Sequence, residues 1–264
     1  MRFVFHLWWL LFFSSPLPAL LPNRFYFGPD ICYRSFSESL ALPRRSQEKG
    51  FLYGWQFGYD HLVKNQVYFG GDLRRVSGQT SYEGSSQNPL SGAISPCKSS
   101  TKNSLFTIEG RAGYTLFFAP FFFTPFIGYG YQSWHRDLEG PQGYQGFYQW
   151  QSGLFGLRLF YPFMKGAIGM QVQTMRTLDA ELQMRRLLPC VILLNLAPTW
   201  QFSLELPCYW RISSQWDCGL TSYFRYEPVG KSEILDHPLL RFTVEEPESQ
   251  ALVVGALLEI GVSF

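Results

Sequence analysis

The chain ends Ala251-Leu252-Val253-Val254-Gly255-Ala256-Leu257-Leu258-Glu259-Ile260-Gly261-Val262-Ser263-Phe264, and this stretch alternates with period two. Leu252, Val254, Ala256, Leu258, Ile260, Val262 and Phe264 share one parity, while Val253, Gly255, Leu257, Glu259, Gly261 and Ser263 share the other. Successive side chains of a strand point to opposite faces, so the first set makes a continuous apolar face and the second is mostly small or polar. Residues 216–226 repeat the pattern, with Trp216, Cys218, Leu220, Ser222, Phe224 and Tyr226 against Asp217, Gly219, Thr221, Tyr223 and Arg225. So do residues 199–212, with Trp200, Phe202, Leu204, Leu206, Cys208, Trp210 and Ile212 against Gln201, Ser203, Glu205 and Arg211, among others.

Working outward from these, further alternating segments occupy 25–36, 51–62, 66–77, 104–118, 121–136, 147–161 and 166–178. With the last three they make ten predicted strands, each long enough for the ~9–11 residues that cross a bilayer obliquely. Eight or twelve result if a segment is split or merged, and 147–161 and 166–178 are the least regular. In 147–161 the pattern reads with Tyr148 and Trp150 on the apolar side and a phase shift near Leu154-Phe155, as a bulge would produce. The connections alternate. Short ones centre on Lys64, Ala119-Pro120, Phe163-Met164 and Ser214, and long ones cover 37–50, 78–103, 137–146, 179–198 and 227–249. That asymmetry fits a closed antiparallel sheet with short turns at one end.

The composition agrees. Of 264 residues, 25 are Phe, 15 Tyr and 8 Trp, yet mean hydropathy is only −0.06. So many rings on one face do not fit inside a narrow barrel, so the apolar face is predicted to meet lipid and the Gly-, Gln- and charge-rich face to line the lumen. A soluble β-sandwich is the alternative all-β reading. Charged residues make up 16% of the chain, below the ~25% usual for soluble proteins. A net charge of +2 gives no basic surface for nucleic acid. The start also stands apart: Arg2, an apolar run over 3–13, then Pro16, Pro18 and Ala19. This order predicts an export signal over 1–19, followed by a barrel domain over 20–264; the run is shorter than the ~20 residues of a spanning helix.

The alternating segments, the signal-like start and the final strand ending in Phe resemble Gram-negative outer-membrane β-barrel proteins. The resemblance implies a multi-pass outer-membrane location with both termini periplasmic. It makes Ile260, Val262 and Phe264 the signal read by the barrel-assembly machinery. The implied surroundings are the lipid bilayer and lipopolysaccharide, with a host or surface ligand at the long loops; no cofactor is implied.

The inward parity collects Asp30, Asp60, Asp72, Glu109, Glu205, Asp217 and Glu259 with Arg34, Arg74, Arg111, Arg211 and Arg225, joined by Arg158 if the bulge is real. Acids and bases are nearly balanced, which predicts a salt-bridged, filled lumen, because unpaired buried charge is costly. A narrow porin-like channel with these charges as its selectivity lining is the alternative. A hydrolase at the rim, protease or lipid-modifying, is the third reading. Ten-stranded omptin proteases use paired acids and an Asp/His dyad near the outer rim; Asp236-His237 is the nearest pair here, but the family spacing is absent and no residue is carried over. Small lipid A deacylases use a His/Ser pair, for which Ser133 and His135 are the nearest match. No catalytic residue is therefore assigned, and the expectation is a non-enzymatic protein. Four His, and five Cys without CxxC spacing, point to no metal site. Cys97 and Cys190 fall in long loops, where a disulfide can form in an oxidising compartment. Cys208 and Cys218 read as small apolar residues on the lipid face. The apolar stretch 187–194 is expected to fold over the mouth or pack on the membrane surface.

Overall fold

The computed structural model describes residues 23–38, 46–87, 94–140, 143–185, 191–236 and 243–264; the expected export signal lies outside them. The strands are β1 (Asn23–Glu38), β2 (Ser46–His61), β3 (Val67–Gln87), β4 (Ile94–Tyr114), β5 (Leu116–Phe118), β6 (Phe121–Leu138) and β7 (Gln145–Phe163). They continue with β8 (Gly166–Arg185), β9 (Ile192–Leu196), β10 (Trp200–Arg211), β11 (Trp216–Val229), β12 (Leu235–Asp236), β13 (Thr243–Val244) and β14 (Ser249–Ser263). The order β10-β11-β14-β1-β2-β3-β4-β6-β7-β8 closes on itself through an antiparallel β8–β10 pairing, giving the ten-stranded barrel that the alternation predicts. β5 continues the line of β4 beyond Thr115 and pairs with β6. β9 continues the line of β10 by pairing with Ala180–Met184 of β8. β12 and β13 pair with each other outside the ring.

The apolar parity faces outward. Phe27 is 56% and Ile127 70% exposed, while Trp134 and Arg136 on the other parity are 0% and 1% exposed. Outward apolar residues run from Val67 to Leu73 on β3 before the exposed Arg75, and from Tyr59 to Phe51 on β2 before the exposed Lys49. That apolar belt matches the bilayer core, and the strands continue beyond it toward the long loops. At the other end the first and last described residues meet: the Phe264 N–H donates to the Asn23 carbonyl at 3.2 Å.

Three expectations are corrected. β7 keeps one parity throughout, so Tyr148 and Trp150 point inward, and Arg158 is inward without any shift near Leu154. The bulge sits instead in β8: Gln149 pairs with Glu181 and Gln151 with Leu178, with Asp179 at φ 44° supplying the extra residue. Rings on both faces of β7 hid this, because hydrophobicity cannot choose a side there. The expected loop 78–103 is mostly wall, with β3 and β4 paired from Gly78↔Asn103 to Gln87↔Ile94. Its Ser, Thr, Gly and Asn are polar on both faces, as suits strands standing in water, so period two disappears. The described parts of the expected loop 179–198 are likewise wall: β8 runs on to Arg185 and pairs with Ile192–Leu196, so Leu182, Met184, Ile192, Leu194 and Leu196 are buried inside it, while Val191 and Leu193 face outward and Leu187 and Leu188 lie outside the described residues.

The interior is also more aromatic than the Gly-rich reading implied. One apolar cluster near the short turns holds Leu62, Tyr68, Phe122, Phe126, Leu154, Phe160, Ala167 and Met175. A larger one toward the long loops includes Phe36, Leu52, Trp134, Tyr148, Trp150, Leu182 and Val253. Inward glycines make the room. A Cβ on Gly58 would lie 2.2 Å from the Tyr26 ring, on Gly156 2.5 Å from Phe126, and on Gly169 2.4 Å from Phe160. Each ring lies over a position that has no side chain. Gly28 is tighter still, because its Cβ would fall 1.6 Å from the Leu258 carbonyl oxygen of the neighbouring strand. Gly28→Ala is therefore expected to block β1–β14 pairing and abolish the heat-modifiable folded band on unboiled gels. Gly153→Ala, with nothing within 4 Å of its Cβ, leaves that band intact.

Candidate functional site

The lumen is built from the inward parity, and almost every charge placed there meets an opposite one. Arg24 of β1 donates to Asp217 of β11 (Nη2–Oδ1 2.7 Å) and to Glu259 of β14 (Nη1–Oε2 2.9 Å), beneath the Tyr209 ring at 4.2 Å. Arg74 pairs with Asp30 and donates to the Tyr223 hydroxyl, which donates to Asp30 at 2.6 Å. Arg111 pairs with Asp72 and stands 3.9 Å from Glu109, which accepts from Gln173 at 3.2 Å. Arg158 donates to Asp60 at 2.8 Å and to Gln171 at 2.7 Å, and Tyr68 donates to the same Asp60 oxygen at 2.9 Å. Arg225 lies 3.4 Å from Glu205, and Arg34 lies 4.0 Å from Glu227 with its guanidinium 3.9 Å from the Trp134 ring centroid. Arg211 is half-buried at the short-turn end, opposite Asp217 in register.

Several of these contacts cross the barrel. Asp60 is on β2 and Arg158 on β7, with β3, β4 and β6 between them around the ring. Arg74 of β3 reaches Tyr223 of β11 past β2, β1 and β14. At the long-loop end Arg136 of β6 meets Glu48 of β2 at 2.9 Å and Glu38 of β1 at 3.6 Å. Glu48 also accepts from Thr80 (2.7 Å) and Asn103 (2.6 Å), and Asn103 accepts from the Trp134 indole N–H at 2.7 Å. Sequence reasoning missed Arg24, Glu48, Arg136, Glu227 and Glu246. Extending period two one step before Phe25 finds Arg24, and one step past Trp134 finds Arg136. Glu48, Glu227 and Glu246 sat in stretches read as loop.

Residues at the two described ends of the last long connection pack together on the inward wall at the long-loop end. The Glu246 N–H donates to the Ser232 hydroxyl at 2.8 Å, and the Ser232 N–H donates to the Glu246 carbonyl at 3.0 Å. The Tyr148 hydroxyl donates to the Glu246 carboxyl at 2.8 Å, and Val244 is buried in the larger apolar cluster. Burial, then the nearby Glu38 charge, pushes the Glu246 carboxyl up to about 8, although Tyr148 and Arg136 pull the other way.

The remaining candidates are placed as follows. Ile260 and Val262 face outward on β14, and Phe264 is exposed with its ring 5.8 Å from Phe25. Ser133 and His135 lie on the outward face of β6, where the His135 ring stacks on Phe147 at 4.3 Å. Asp236 falls in β12, and His237 lies outside the described residues. Cys97 is near the tip of β4, and Cys190 lies outside the described residues, as does that pairing. Cys208 and Cys218 face outward one register step apart, Cys208 opposite Leu220 and Cys218 opposite Trp210. Among the described residues no cluster of three or more His, Cys, Asp or Glu is arranged to hold a metal.

No family model matches the sequence, and no curated protein does. Solved structures match in fold. The outer membrane protease OmpT of Escherichia coli superposes with a TM-score of 0.64 at 10% identity, over 95% of this chain and 99% of that one. The translocator domain of the autotransporter NalP from Neisseria meningitidis gives 0.47 at 12% identity, over 100% and 94%. OprG of Pseudomonas aeruginosa gives 0.43 at 9% identity, over 94% and 99%. The closed ten-stranded ring and its lipid-facing apolar belt make this chain an outer-membrane β-barrel protein that crosses the bilayer many times as strands.

The seated mouth segment holds a proton on Glu246 that a released segment loses in the ordinary carboxylate range. Seating is thus strongest below about pH 4.5 and weakens as pH rises to about 8. Amide exchange over 243–246, corrected for its intrinsic pH dependence, is expected to quicken between about pH 4.5 and about pH 8, to level off above that, and to stay flat in Glu246→Gln.

Proposed function

We propose that this is a non-enzymatic outer-membrane protein with a filled lumen, acting at the cell surface through its long-loop end. Both termini then lie on the periplasmic side, and the long-loop end stands among lipopolysaccharide, where it meets a host or surface ligand. The observation that carries this reading is the Arg158–Asp60 contact at 2.8 Å across the lumen. Side chains from opposite walls that meet at hydrogen-bond distance interrupt a column of water between them. Rigid walls with loops at one end are also a common platform for recognition. A hydrolase at the rim gains no support from Ser133 and His135, because the His135 ring stacks on Phe147 and its Nε2 has no hydrogen-bond partner to orient it. OmpT is a protease by name, and at 10% identity its likeness speaks for the fold alone.

A narrow channel is the second reading, favoured by polar atoms without protein partners along one wall: both amide atoms of Gln201, the Ser203 hydroxyl and Nε of Arg225. Planar-bilayer recording separates the two. The filled lumen is expected to give no steady unit conductance, and reproducible unit steps from the wild-type protein overturn it. Arg158→Ala leaves the buried Asp60 carboxylate with Tyr68 as its remaining hydrogen-bond donor. It is expected to lower stability by about 3–5 kcal/mol in a urea titration followed by tryptophan fluorescence.

A further inference from the structure

The lipid-facing surface carries an open apolar groove. Near the short-turn end, Leu220 of β11 with Leu258 and Ile260 of β14 form an aliphatic floor. Phe25 and Phe27 of β1 stand along one side and Trp210 and Trp216 along the other, flanking an open groove of about 920 Å³. That volume falls in the ~300–1,000 Å³ range of small-molecule sites. The floor is low because its side chains are short beside the flanking rings. It also lies where the β1–β14 ladder skips a step: Phe27 pairs with Ile260 and Asp30 with Leu257, and Pro29 between them has no N–H to give. The Phe25 wall is held in place by rings on both sides, with Tyr59 at 4.8 Å and Phe264 at 5.8 Å.

We propose that this groove is a binding site for a diacyl phospholipid, its acyl chains on the aliphatic floor and its phosphate at the short-turn boundary. Three observations select that occupant. The groove opens onto the belt that already faces hydrocarbon, so acyl chains reach it without crossing water. The convex wall of a second barrel would rest on the aromatic ridges and leave the floor uncovered, forfeiting its dispersion contacts, whereas a flexible chain follows the floor. Lys165, exposed in the β7–β8 turn, accepts the Arg211 N–H on its backbone carbonyl at 2.7 Å, which puts a cationic residue next to the Trp210 wall at the polar edge. Walls already fixed before the lipid arrives keep the ordering cost low. The site depends on the membrane location and not on whether the lumen is filled.

Native mass spectrometry of the detergent-purified barrel, incubated with palmitoyl-oleoyl phosphatidylglycerol, tests this. The wild-type protein is expected to retain lipid through desolvation. Leu258→Trp, which fills the floor, is expected to retain about tenfold less, and Ile127→Trp, on the lipid face of β6, as much as wild type. Equal retention by wild type and Leu258→Trp, or a lipid-free two-chain mass, overturns the proposal. Should Leu258→Trp not fold, the wild-type protein still decides. Brominated-acyl phosphatidylglycerol at one per barrel is expected to quench tryptophan emission, with the quenching lost in a Trp210→Phe, Trp216→Phe double variant. Absence of quenching, or its survival in the double variant, overturns the proposal.

Discussion

In hydrocarbon every backbone N–H and C=O must find its partner inside the protein. The β8–β10 pairing is where this chain meets that demand, because it converts a sheet with two open edges into a ring. Everything else follows from closure. A closed sheet has two faces with different solvents, so side-chain parity becomes a choice between lipid and lumen. A one-residue slip anywhere would carry Phe, Trp and Ile inward and Asp and Arg into lipid. Asp179 is instructive: its extra residue reverses the parity of β8, yet it sits toward the long loops, above the exposed Arg176.

The lumen obeys a second rule, that buried charge must be paired. Arg24, Arg74, Arg111, Arg136 and Arg158 each reach a carboxylate, several of them from another part of the ring. These contacts bridge walls that the backbone ladder does not join directly. The apolar clusters above and below shield them from water, which strengthens each pair and raises the cost of breaking one. The fold thus has two cores of different chemistry in one cylinder, with rings resting on glycines and arginines resting on acids.

Much of this was legible from residue order. Alternation in 199–212, 216–226 and 252–264 assigned both faces of three strands correctly, and the positions of Ala119-Pro120 and Ser214 marked turns that the structure shares. The belt was legible because lipid imposes a sharp apolar requirement on one parity. Where that requirement lapses, the signal lapses too: the walls at 78–87, 94–103, 180–185 and 192–196 stand beyond the apolar belt, so strand and loop look alike in sequence. Phe122, Phe126 and Trp134 were missed inside because an aromatic residue reads as outward by default. The inward parity of Asp30, Asp72, Arg74 and Arg111 was readable, but which acid meets which arginine was not. Partners on β2 and β7, or on β3 and β11, come together only once the ring has closed.

The ring-on-glycine packing has an evolutionary side. Where Tyr26 covers Gly58 and Phe160 covers Gly169, neither member of the pair can change freely. Enlarging the glycine first collides with the ring, and shrinking the ring first opens a slot in the wall lining. A lineage could therefore remodel the interior only by paired replacements, while the outward belt tolerates exchange of one apolar residue for another. The inside of this barrel should drift slowly and in couples, and its outside quickly and singly.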